Sequence, residues 1–326
     1  LKGSLVRLSY NNLVSNASSI AQYLNLDKNE IAISSLPMNY SFGLSIINSH
    51  LFSGGSILMT NESITQRKFW NLFKKFKVTS LSGVPYTFNI LKNFRLLNID
   101  LPSLKTITQA GGKLSNELID YFAKFSLTKK IKLYVMYGQT EGTARLSYLN
   151  PKFIFEKLGS IGKSIPNGNF HILNDKGIRI EKPEVKGELV YKGPNVMLGY
   201  SQSREELTKG DENKGYLKTG DIAYFDSDGF YYIVGRTKRF IKLFGNRINL
   251  DEVEQLLFQI DIDSACVGKD NLLFVYIIKE IKIDQVKTFL NKKLGLHLSV
   301  INIRVIDEIP KNLSGKKLYS KLSVEL

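Results

Sequence analysis

The sequence predicts an α/β fold: a large domain with a parallel sheet, a β subdomain, and a small α+β domain at the C-terminus. In residues 9–142 short apolar runs alternate with segments of helical period, as in strands joined by crossover helices. Residues 158–235 are rich in β-forming residues and turns, which predicts a mostly antiparallel β subdomain. We therefore predict a large domain over residues 1–235 and a C-terminal domain over residues 241–326.

The large domain contains five apolar runs that we predict to be strands and four amphipathic segments that we predict to be helices. Several of the strands end in Gly or Pro, and in parallel sheets ligands bind beyond the carboxyl ends of the strands. The predicted strands lie at residues 30–36, 56–59, 78–83, 105–110 and 132–136. The predicted helices lie around residues 11–24, 65–77, 86–97 and 115–126.

The rest of the sequence has a different pattern of strands, helices and turns. A turn at residues 226–229 between alternating runs predicts a hairpin within residues 216–234. Beyond it, helical and strand patterns alternate in short segments, which predicts the separate α+β domain. Its predicted elements are helices near 250–259 and 283–294 and strands near 272–279 and 300–306, whereas residues 187–192, a stretch rich in β-forming residues, belong to the β subdomain.

Composition indicates an ordinary globular protein. Of 326 residues, 43% are hydrophobic and 23% are charged, so the chain can bury a sizeable core. No apolar run is long enough to span a bilayer and residues 1–20 lack a signal-peptide pattern, so we expect a cytoplasmic protein with no membrane span. A single cysteine, Cys266, rules out an internal disulfide framework and fits a reducing compartment. The three histidines have no ligand spacing to Cys266, which argues against a zinc site or a histidine-based triad.

The net charge of +15 is large. It allows two interpretations: an anionic partner such as a nucleotide, coenzyme A or an acidic carrier protein, or a general drift toward lysine without functional meaning. The lysines are scattered in short clusters, and no nucleic-acid-binding motif occurs. We therefore expect no nucleic acid partner.

Four motifs carry the functional prediction. Together, in this order and spacing, they resemble the acyl-adenylate-forming superfamily, which contains acyl-CoA synthetases, peptide-synthetase adenylation domains and firefly luciferases. The resemblance runs from about Val6 to Leu322. The motifs are Tyr-Gly-Gln-Thr-Glu at 137–141, Leu-Lys-Thr-Gly-Asp at 217–221, Gly-Arg-Thr-Lys-Arg-Phe-Ile-Lys-Leu-Phe-Gly-Asn-Arg-Ile-Asn at 235–249 and Pro-Lys-Asn-Leu-Ser-Gly-Lys-Lys at 310–317.

The resemblance implies a binding site for ATP and AMP, with Mg²⁺ held by Glu141. A flat aromatic face such as that of Tyr137 suits adenine, and a carboxylate oxygen suits Mg²⁺. Two adjacent glycines let a backbone approach a ligand closely, although the same pair also suits a tight turn. The implied nucleotide-binding residues are Gly111, Gly112, Lys113, Tyr137, Gly138, Gln139, Thr140, Asp221 and Arg236.

Two of these residues are assigned to the ribose and the α-phosphate. A carboxylate can accept hydrogen bonds from both hydroxyls of a cis-diol, so the resemblance implies that Asp221 binds the ribose. Arg236 adds a cation near the ribose and the α-phosphate. An Asx-turn at Asp221 and an exposed boundary charge at Arg236 are the alternatives.

Lysines in the C-terminal part are the implied catalytic groups. Lys316 is the principal candidate, because its ammonium would offset negative charge at the α-phosphorus and the attacking carboxylate. Lys242 is implied in the later thioester step. Lys238, within residues 236–240, occupies the hinge position about which the C-terminal domain would swing. A surface lysine in a Gly-Ser turn is the alternative for Lys316.

The resemblance breaks down at the start of the sequence. The superfamily has a Ser/Thr/Gly-rich phosphate loop before the first helix, whereas this chain begins with Leu1-Lys2-Gly3. We therefore expect the first part of the large domain to be lacking, and we expect the chain by itself to adenylate poorly.

The resemblance implies an AMP-forming acid–thiol ligase that activates a carboxylic acid with ATP and transfers the acyl group to CoA or to a phosphopantetheine carrier. Residues 36–60 contain no Asp or Glu to pair with an α-ammonium, which favours a plain carboxylic acid, fatty or aryl, over an amino acid. A second hypothesis is a non-catalytic nucleotide- or partner-binding remnant. Nucleotide binding without turnover would distinguish it from the enzyme.

Overall fold

The computed structural model describes residues 5–34, 36–93, 99–244, 246–278, 283–312 and 317–324, with the backbone alone at residues 246 and 247. The chain divides into two compact units. The first unit comprises Leu1–Thr219 and Tyr224–Tyr232, and the second unit comprises Gly220–Ala223 and Ile233–Leu326.

The strands and helices alternate along the first 137 residues, as predicted. In chain order the strands are β1 (Leu5–Arg7), β2 (Ile31–Ser34), β3 (Ser56–Met59), β4 (Ser80–Gly83), β5 (Thr106–Gln109), β6 (Lys132–Tyr137), β7 (Ser147–Leu149), β8 (Lys163–Ser164), β9 (Asn169–Leu173), β10 (Arg179–Ile180), β11 (Gly187–Lys192), β12 (Gly199–Ser201), β13 (Tyr216–Phe225), β14 (Tyr231–Arg236), β15 (Phe240–Leu243), β16 (Asn246–Asn249), β17 (Ser264–Lys269), β18 (Leu272–Ile278) and β19 (Ile301–Ile306). The helices are α1 (Tyr10–Leu24), α2 (Ser41–Phe52), α3 (Arg67–Lys75), α4 (Pro85–Asn93), α5 (Asn116–Lys129), α6 (Leu250–Phe258) and α7 (Ile283–Leu294).

A seven-stranded sheet of order β3-β2-β4-β5-β6-β7-β8 forms the centre of the first unit. From β3 to β6 neighbouring strands are parallel, which confirms the predicted parallel sheet. The last two strands, β7 and β8, are antiparallel and were not predicted. The reason is local: the chain returns from β6 to β7 through residues 138–146, which is too short for a parallel crossover.

Helices cover both faces of this sheet. On one face, α3, α4 and α5 contribute an aromatic core that includes the fully buried Phe73, Phe88 and Phe122. On the other face α2 contacts the sheet, where the buried His50 on α2 lies 3.3 Å from the hydroxyl of Ser80 on β4. The prediction of crossover helices on both faces is confirmed.

A five-stranded sheet of order β10-β9-β11-β13-β14 follows. Strand β9 pairs antiparallel with both β10 and β11, as expected for the predicted β subdomain. The turn at 226–229 joins β13 to β14, and its conformation is fixed by hydrogen bonds from Gly229 N to Asp226 O and from Asp226 N to Phe230 O, each of 2.9 Å. Strand β1 pairs with β12 in a separate two-stranded ladder.

The second unit has its own core. Strands β17 and β18 are antiparallel, β18 and β19 are parallel, and α6 and α7 supply the buried Val253, Leu257 and Leu290 to the core. Strands β15 and β16 form a hairpin in the same unit. Within the described ranges, no helix combines the length and the apolar character needed to cross a bilayer.

Candidate functional site

The two glycines predicted to approach a nucleotide form a tight turn after β5. Gly111 has φ +82°, and a Cβ at this position would lie 2.3 Å from the hydroxyl oxygen of Tyr40. The fully buried side chain of Gln109 donates a 2.8 Å hydrogen bond to the carbonyl of Gly112. The Gln109 side chain and the Tyr40 hydroxyl therefore both contact this turn. Lys113, the next residue, is exposed.

A second turn begins where β6 ends. Tyr137 is half-buried, and its ring centroid lies 6.4 Å from that of Phe170. The next residue must be glycine, because a Cβ at Gly138 would lie 1.8 Å from the carbonyl oxygen of Ala144. Gln139 accepts hydrogen bonds at its carbonyl from Gly142 N at 3.0 Å and Ala144 N at 3.2 Å.

Thr140 and Glu141 lie in a short 3-10 helix that opens from this turn. The exposed Thr140 hydroxyl lies 3.1 Å from the hydroxyl of Ser41 at the start of α2. Glu141 accepts a 2.8 Å hydrogen bond from the Tyr200 hydroxyl. Burial, together with the hydrogen bond and the charge of Glu141, raises the pKa of Tyr200 to about 12, so this hydroxyl stays a proton donor at neutral pH.

The two turns lie side by side. Strands β5 and β6 are parallel neighbours, with Gln109 opposite Val135, so both chains leave the sheet at the same edge. Residues 111–113 and residues 137–141 therefore meet at the carboxyl edge of the sheet. This is the place where parallel sheets bind ligands.

Asn195, which lies in none of the four motifs, holds the turn at residues 138–146 through buried hydrogen bonds. This fully buried amide donates hydrogen bonds to the carbonyls of Gly142 at 2.7 Å and Arg145 at 3.2 Å, and it accepts one from the Tyr191 hydroxyl at 2.8 Å. Thr143 in turn donates a 2.5 Å hydrogen bond to the carbonyl of Asn195. The sequence analysis did not identify Asn195, since a single Asn after Gly193-Pro194 carries no distinct signal.

Arg145 places a fully buried cation beneath the turn. Its guanidinium donates to Ser45 Oγ at 3.1 Å and to the Tyr23 hydroxyl at 3.0 Å, and its Cζ lies 5.1 Å from the centroid of the Phe42 ring. Burial raises the pKa of Tyr23, and the charge of Arg145 opposes that shift. This arrangement ties α1 and α2 to the turn that contains Glu141.

Residues of the second unit form a separate group. Asp221 is buried, and it accepts a 3.2 Å hydrogen bond at Oδ1 from Nε of Arg236, whose side chain is 52% exposed. Gly220 before it has φ +72°, and its carbonyl accepts from Thr237 N at 2.8 Å. The structure thus brings Asp221 and Arg236 into contact, and their assignment to the nucleotide stays a prediction.

The predicted lysines have different surroundings. Lys238 is exposed in the turn between β14 and β15, which a 3.2 Å hydrogen bond from Arg239 N to Arg236 O closes. Lys242 is exposed on β15, where its amide donates to Asp270 Oδ1 at 3.1 Å. Lys316 lies outside the described residues, and its assignment stays a prediction.

The residues around Glu141 fit a magnesium ion that arrives with a nucleotide. Mg²⁺ in such sites is usually held by one or two carboxylates together with substrate phosphates. Glu141 supplies one half-buried carboxylate, and the Thr140 hydroxyl adds an oxygen nearby along the chain. Among the residues the structure describes, no group of three or more His, Cys, Asp or Glu side chains forms a complete metal cage.

Known proteins resemble this chain over nearly its whole length. The sequence profile of the family described as AMP-binding enzyme matches residues 4–201. The peroxisomal OPC-8:0-CoA ligase 1 of Arabidopsis thaliana is 28% identical over 96% of this chain and 60% of its own length. A long-chain-fatty-acid–CoA ligase of Salmonella typhimurium is 32% identical over 91% of this chain and 54% of its own length.

Solved structures agree with these relatives. The O-succinylbenzoate coenzyme A synthetase MenE of Bacillus subtilis, in complex with AMP, superposes with a TM-score of 0.82 at 25% identity, covering 98% of this chain and 66% of that one. A second structure of that enzyme, with ATP and magnesium ion, gives a TM-score of 0.79 at 25% identity, covering 97% of this chain and 66% of that one. The chain thus spans about 60% of the length of several curated relatives that it matches.

Proposed function

The chain belongs to the family of AMP-binding enzymes, and on this premise we propose that it acts in an AMP-forming acid–thiol ligase. In this reaction a carboxylate attacks the α-phosphorus of ATP, which releases pyrophosphate and leaves an acyl-adenylate. The thiol of CoA then displaces AMP and forms a thioester. The names of the relatives, which are CoA ligases, support this reaction class.

One observation carries the proposal. Tyr137 and Glu141 stand on a rigid turn at the carboxyl edge of the parallel sheet, beside the Gly111–Gly112 turn. We propose that Tyr137 and the glycine turn bind the adenine, and that Gly138, Gln139 and Thr140 shape the backbone around it. Glu141 would hold Mg²⁺, which neutralises phosphate charge when it is bound.

The second unit supplies the remaining groups of the proposal. The buried Asp221 would accept hydrogen bonds from the ribose hydroxyls, and Arg236 would contribute a cation toward the α-phosphate. We assign the adenylation step to Lys316 and the thioester step to Lys242. Rotation about Lys238 within residues 236–240 would exchange the two lysines, since its exposed turn leaves the backbone room to move.

We propose that the substrate is a plain carboxylic acid, fatty or aryl. Residues 36–60 contain no carboxylate that would pair with an α-ammonium. Tyr40 lies against Gly111 and would form one wall of the acyl pocket, with the exposed Tyr86 as a second. CoA is the acceptor that the relatives' names suggest, and a phosphopantetheine carrier would present the same thiol arm.

The proposal is tested by acid-dependent exchange of labelled pyrophosphate into ATP, measured with a panel of fatty and aryl acids. Tyr137→Ala and Asp221→Asn should each weaken AMP binding by calorimetry, since each removes one contact to the nucleoside. Gln202→Ala, an exposed change distant in sequence from every proposed site residue, is the matched control. AMP binding without exchange would favour the non-catalytic remnant, and absence of both would refute the nucleotide site.

A further inference from the structure

A cavity of about 600 Å³ lies in the first unit, against the five-stranded sheet. Cavities that hold small molecules have volumes of roughly 300 to 1,000 Å³, so this one is large enough for a ligand. Strands β9, β10, β11 and β13 line it, together with side chains from residues 197–213. None of the lining residues is among those assigned above to the nucleotide, the metal ion or the catalytic steps.

The strand register gives the cavity an apolar floor. His171 on β9 pairs with Val190 on β11, and Leu173 on β9 pairs with Arg179 on β10. Paired residues share a face of the sheet, as do residues two apart along one strand, so these four side chains lie on the same face. Met197 adds more apolar surface to the lining. The floor therefore suits the apolar part of a ligand.

Two cationic side chains, those of Arg179 and Lys218, line the same cavity. Arg179 is 58% exposed and lies 4.0 Å from the exposed carboxylate of Glu181, a pair too open to water to neutralise it firmly. Glu188 pairs with Leu173 and so lies on the same face of the sheet, but it is not part of the described lining, which contains no Asp or Glu. A cleft lined by charges of one sign concentrates ions of the opposite sign, here anions.

His171 brings an unsatisfied polar atom to this lining. Its Nδ1 is buried and has no hydrogen-bond partner among the residues that the structure describes. Burial lowers the pKa of His171, and the charges of Arg179 and Lys192 lower it further, so the ring is neutral at pH 7. A neutral imidazole can carry its proton on Nδ1 and donate it to an anionic oxygen. A ligand that accepts this hydrogen bond would remove the cost of the unpaired atom.

Two tyrosines complete the lining. Tyr216 lies under the Lys192 ammonium, whose Nζ is 4.9 Å from the ring centroid. Tyr200 also lines the cavity, and its hydroxyl donates to Glu141 at 2.8 Å. The cavity therefore adjoins the proposed metal site but has a lining of its own. The flat faces of the two rings suit an aromatic ligand.

We propose that this cavity binds a phosphate monoester with an apolar or aromatic body. Such a group carries a charge of about −1.5 to −2 at pH 7, which matches two lining cations better than the single charge of a carboxylate does. Arg179 and Lys218 bind the phosphate oxygens, and His171 donates a hydrogen bond from Nδ1. Leu173 and Val190 contact the body of the ligand.

Calorimetry with naphthyl phosphate as the probe tests the site on the purified chain. Binding should be saturable and tighter than that of inorganic phosphate or of neutral naphthol, because each of these lacks one half of the probe. Arg179→Ala and Lys218→Ala should each weaken binding about tenfold, as expected when a hydrogen bond to a charged group is lost. Lys176→Ala, an exposed change in the turn between β9 and β10, is the control and should have no effect. Equal binding of inorganic phosphate or naphthol, or unchanged affinity in both lining variants, would overturn the proposal.

A second measurement separates this cavity from the nucleotide site. Naphthyl phosphate should shift the ring signal of His171 in the NMR spectrum and leave the signals of His50 and His297 unchanged; the His171→Gln variant identifies the signal. Tyr137→Ala and Asp221→Asn should not alter the affinity for the probe. Loss of binding in these two variants, or an unshifted His171 signal, would contradict the proposal. Failure of the parent chain to bind AMP would count against the proposed function alone, since the probe does not use that site.

Discussion

The turn at residues 138–146 and the lysines Lys311 and Lys317 are both held by side chains remote in sequence, but by different forces. In the first unit the close approach at Gly138 and the buried amide of Asn195 are neutral contacts, and the one cation in the turn, Arg145, is fully buried. In the second unit the two lysines are held by ion pairs to Glu254 and Asp263, the latter 39% exposed.

The two kinds of contact differ in strength and in their response to salt. Neutral buried hydrogen bonds have strict geometry and do not respond to salt, so they suit a surface that must hold one shape. Partly exposed ion pairs, such as that of Lys311 with Asp263, are weaker and are screened by salt, so they hold the chain less firmly. The predictions below test this contrast from the largest expected effect to the smallest.

Gly138→Ala should give the largest effect, because its Cβ would lie 1.8 Å from a backbone oxygen that cannot move alone. We expect a loss of at least about 3 kcal/mol in the free energy of unfolding, measured by urea denaturation. Gly210→Ala is the control, since nothing lies within 4 Å of its added Cβ. Equal stability of the two variants would show that the turn is not rigid.

Asn195→Ala should destabilise the first unit by about 2 to 3 kcal/mol. The change leaves the Tyr191 hydroxyl and the carbonyls of Gly142 and Arg145 without their buried partner. Asn213→Ala removes a single amide donor to the Met197 carbonyl and should cost less. The stability of both variants is compared by thermal unfolding. A similar loss of stability in both would show that Asn195 contributes no more than a single buried amide donor.

Asp226→Asn tests whether an ion pair, here that of Asp226 with Lys157, stabilises the first unit. Partial burial would raise the pKa of Asp226, but hydrogen bonds from the Phe230 and Asp228 amides and from Lys157 outweigh it and lower that pKa. A carboxyl with a lowered folded-state pKa contributes stability above its unfolded value of about 3.9 and loses it as the pH falls through the folded value.

We therefore expect Asp226→Asn to lower stability at pH 7 by about 1 kcal/mol and to have a progressively smaller effect as the pH falls below about 3.9. Unfolding free energies between pH 7 and pH 2 give the measurement. Asp228→Asn, whose side chain is 63% exposed, should change the same curve less. A constant loss at all pH values would mean that packing, and not charge, is responsible.

Salt should give the smallest effect. At about 1 M NaCl the Debye length is about 3 Å, so the Lys311–Asp263 pair should be screened. Amides 312–318 should then exchange about twofold faster, while amides of residues 138–146 should keep their rates. The hydrogen-exchange rates are measured by mass spectrometry. If salt changed the rates of both regions equally, the two regions would not differ in the type of contact that holds them.

The sequence predicted well the elements that follow a strong local pattern. Strand β3, strand β11 and helix α7 have the predicted bounds. Strand β17 was not predicted, because Ser264–Lys269 is buried along four successive positions and shows no alternation. The antiparallel β7 and β8 were also missed, since strand direction depends on how the chain returns and not on residue type.

Residues that lie in a recognisable motif could be identified from the sequence. The residues that hold them in place through distant contacts could not. Tyr137, Glu141 and Asp221 stand in recognisable strings, and their sequence order indicated the family. Asn195, Arg145 and Glu254 act through contacts to residues that are distant along the chain. No local pattern marks such a residue.

The sequence by itself determined the alternation of strands and helices in the first 137 residues, the family and the residue types available for nucleotide chemistry. These depend on periodicity and on motifs that a single stretch of chain contains. Only the tertiary structure decided that the glycine turn and the Tyr137–Glu141 turn leave the sheet at the same end, and that one carboxylate, Asp263, contacts both Lys311 and Lys317. Such facts arise from packing between distant segments, because each contact depends on where the whole fold places its two partners.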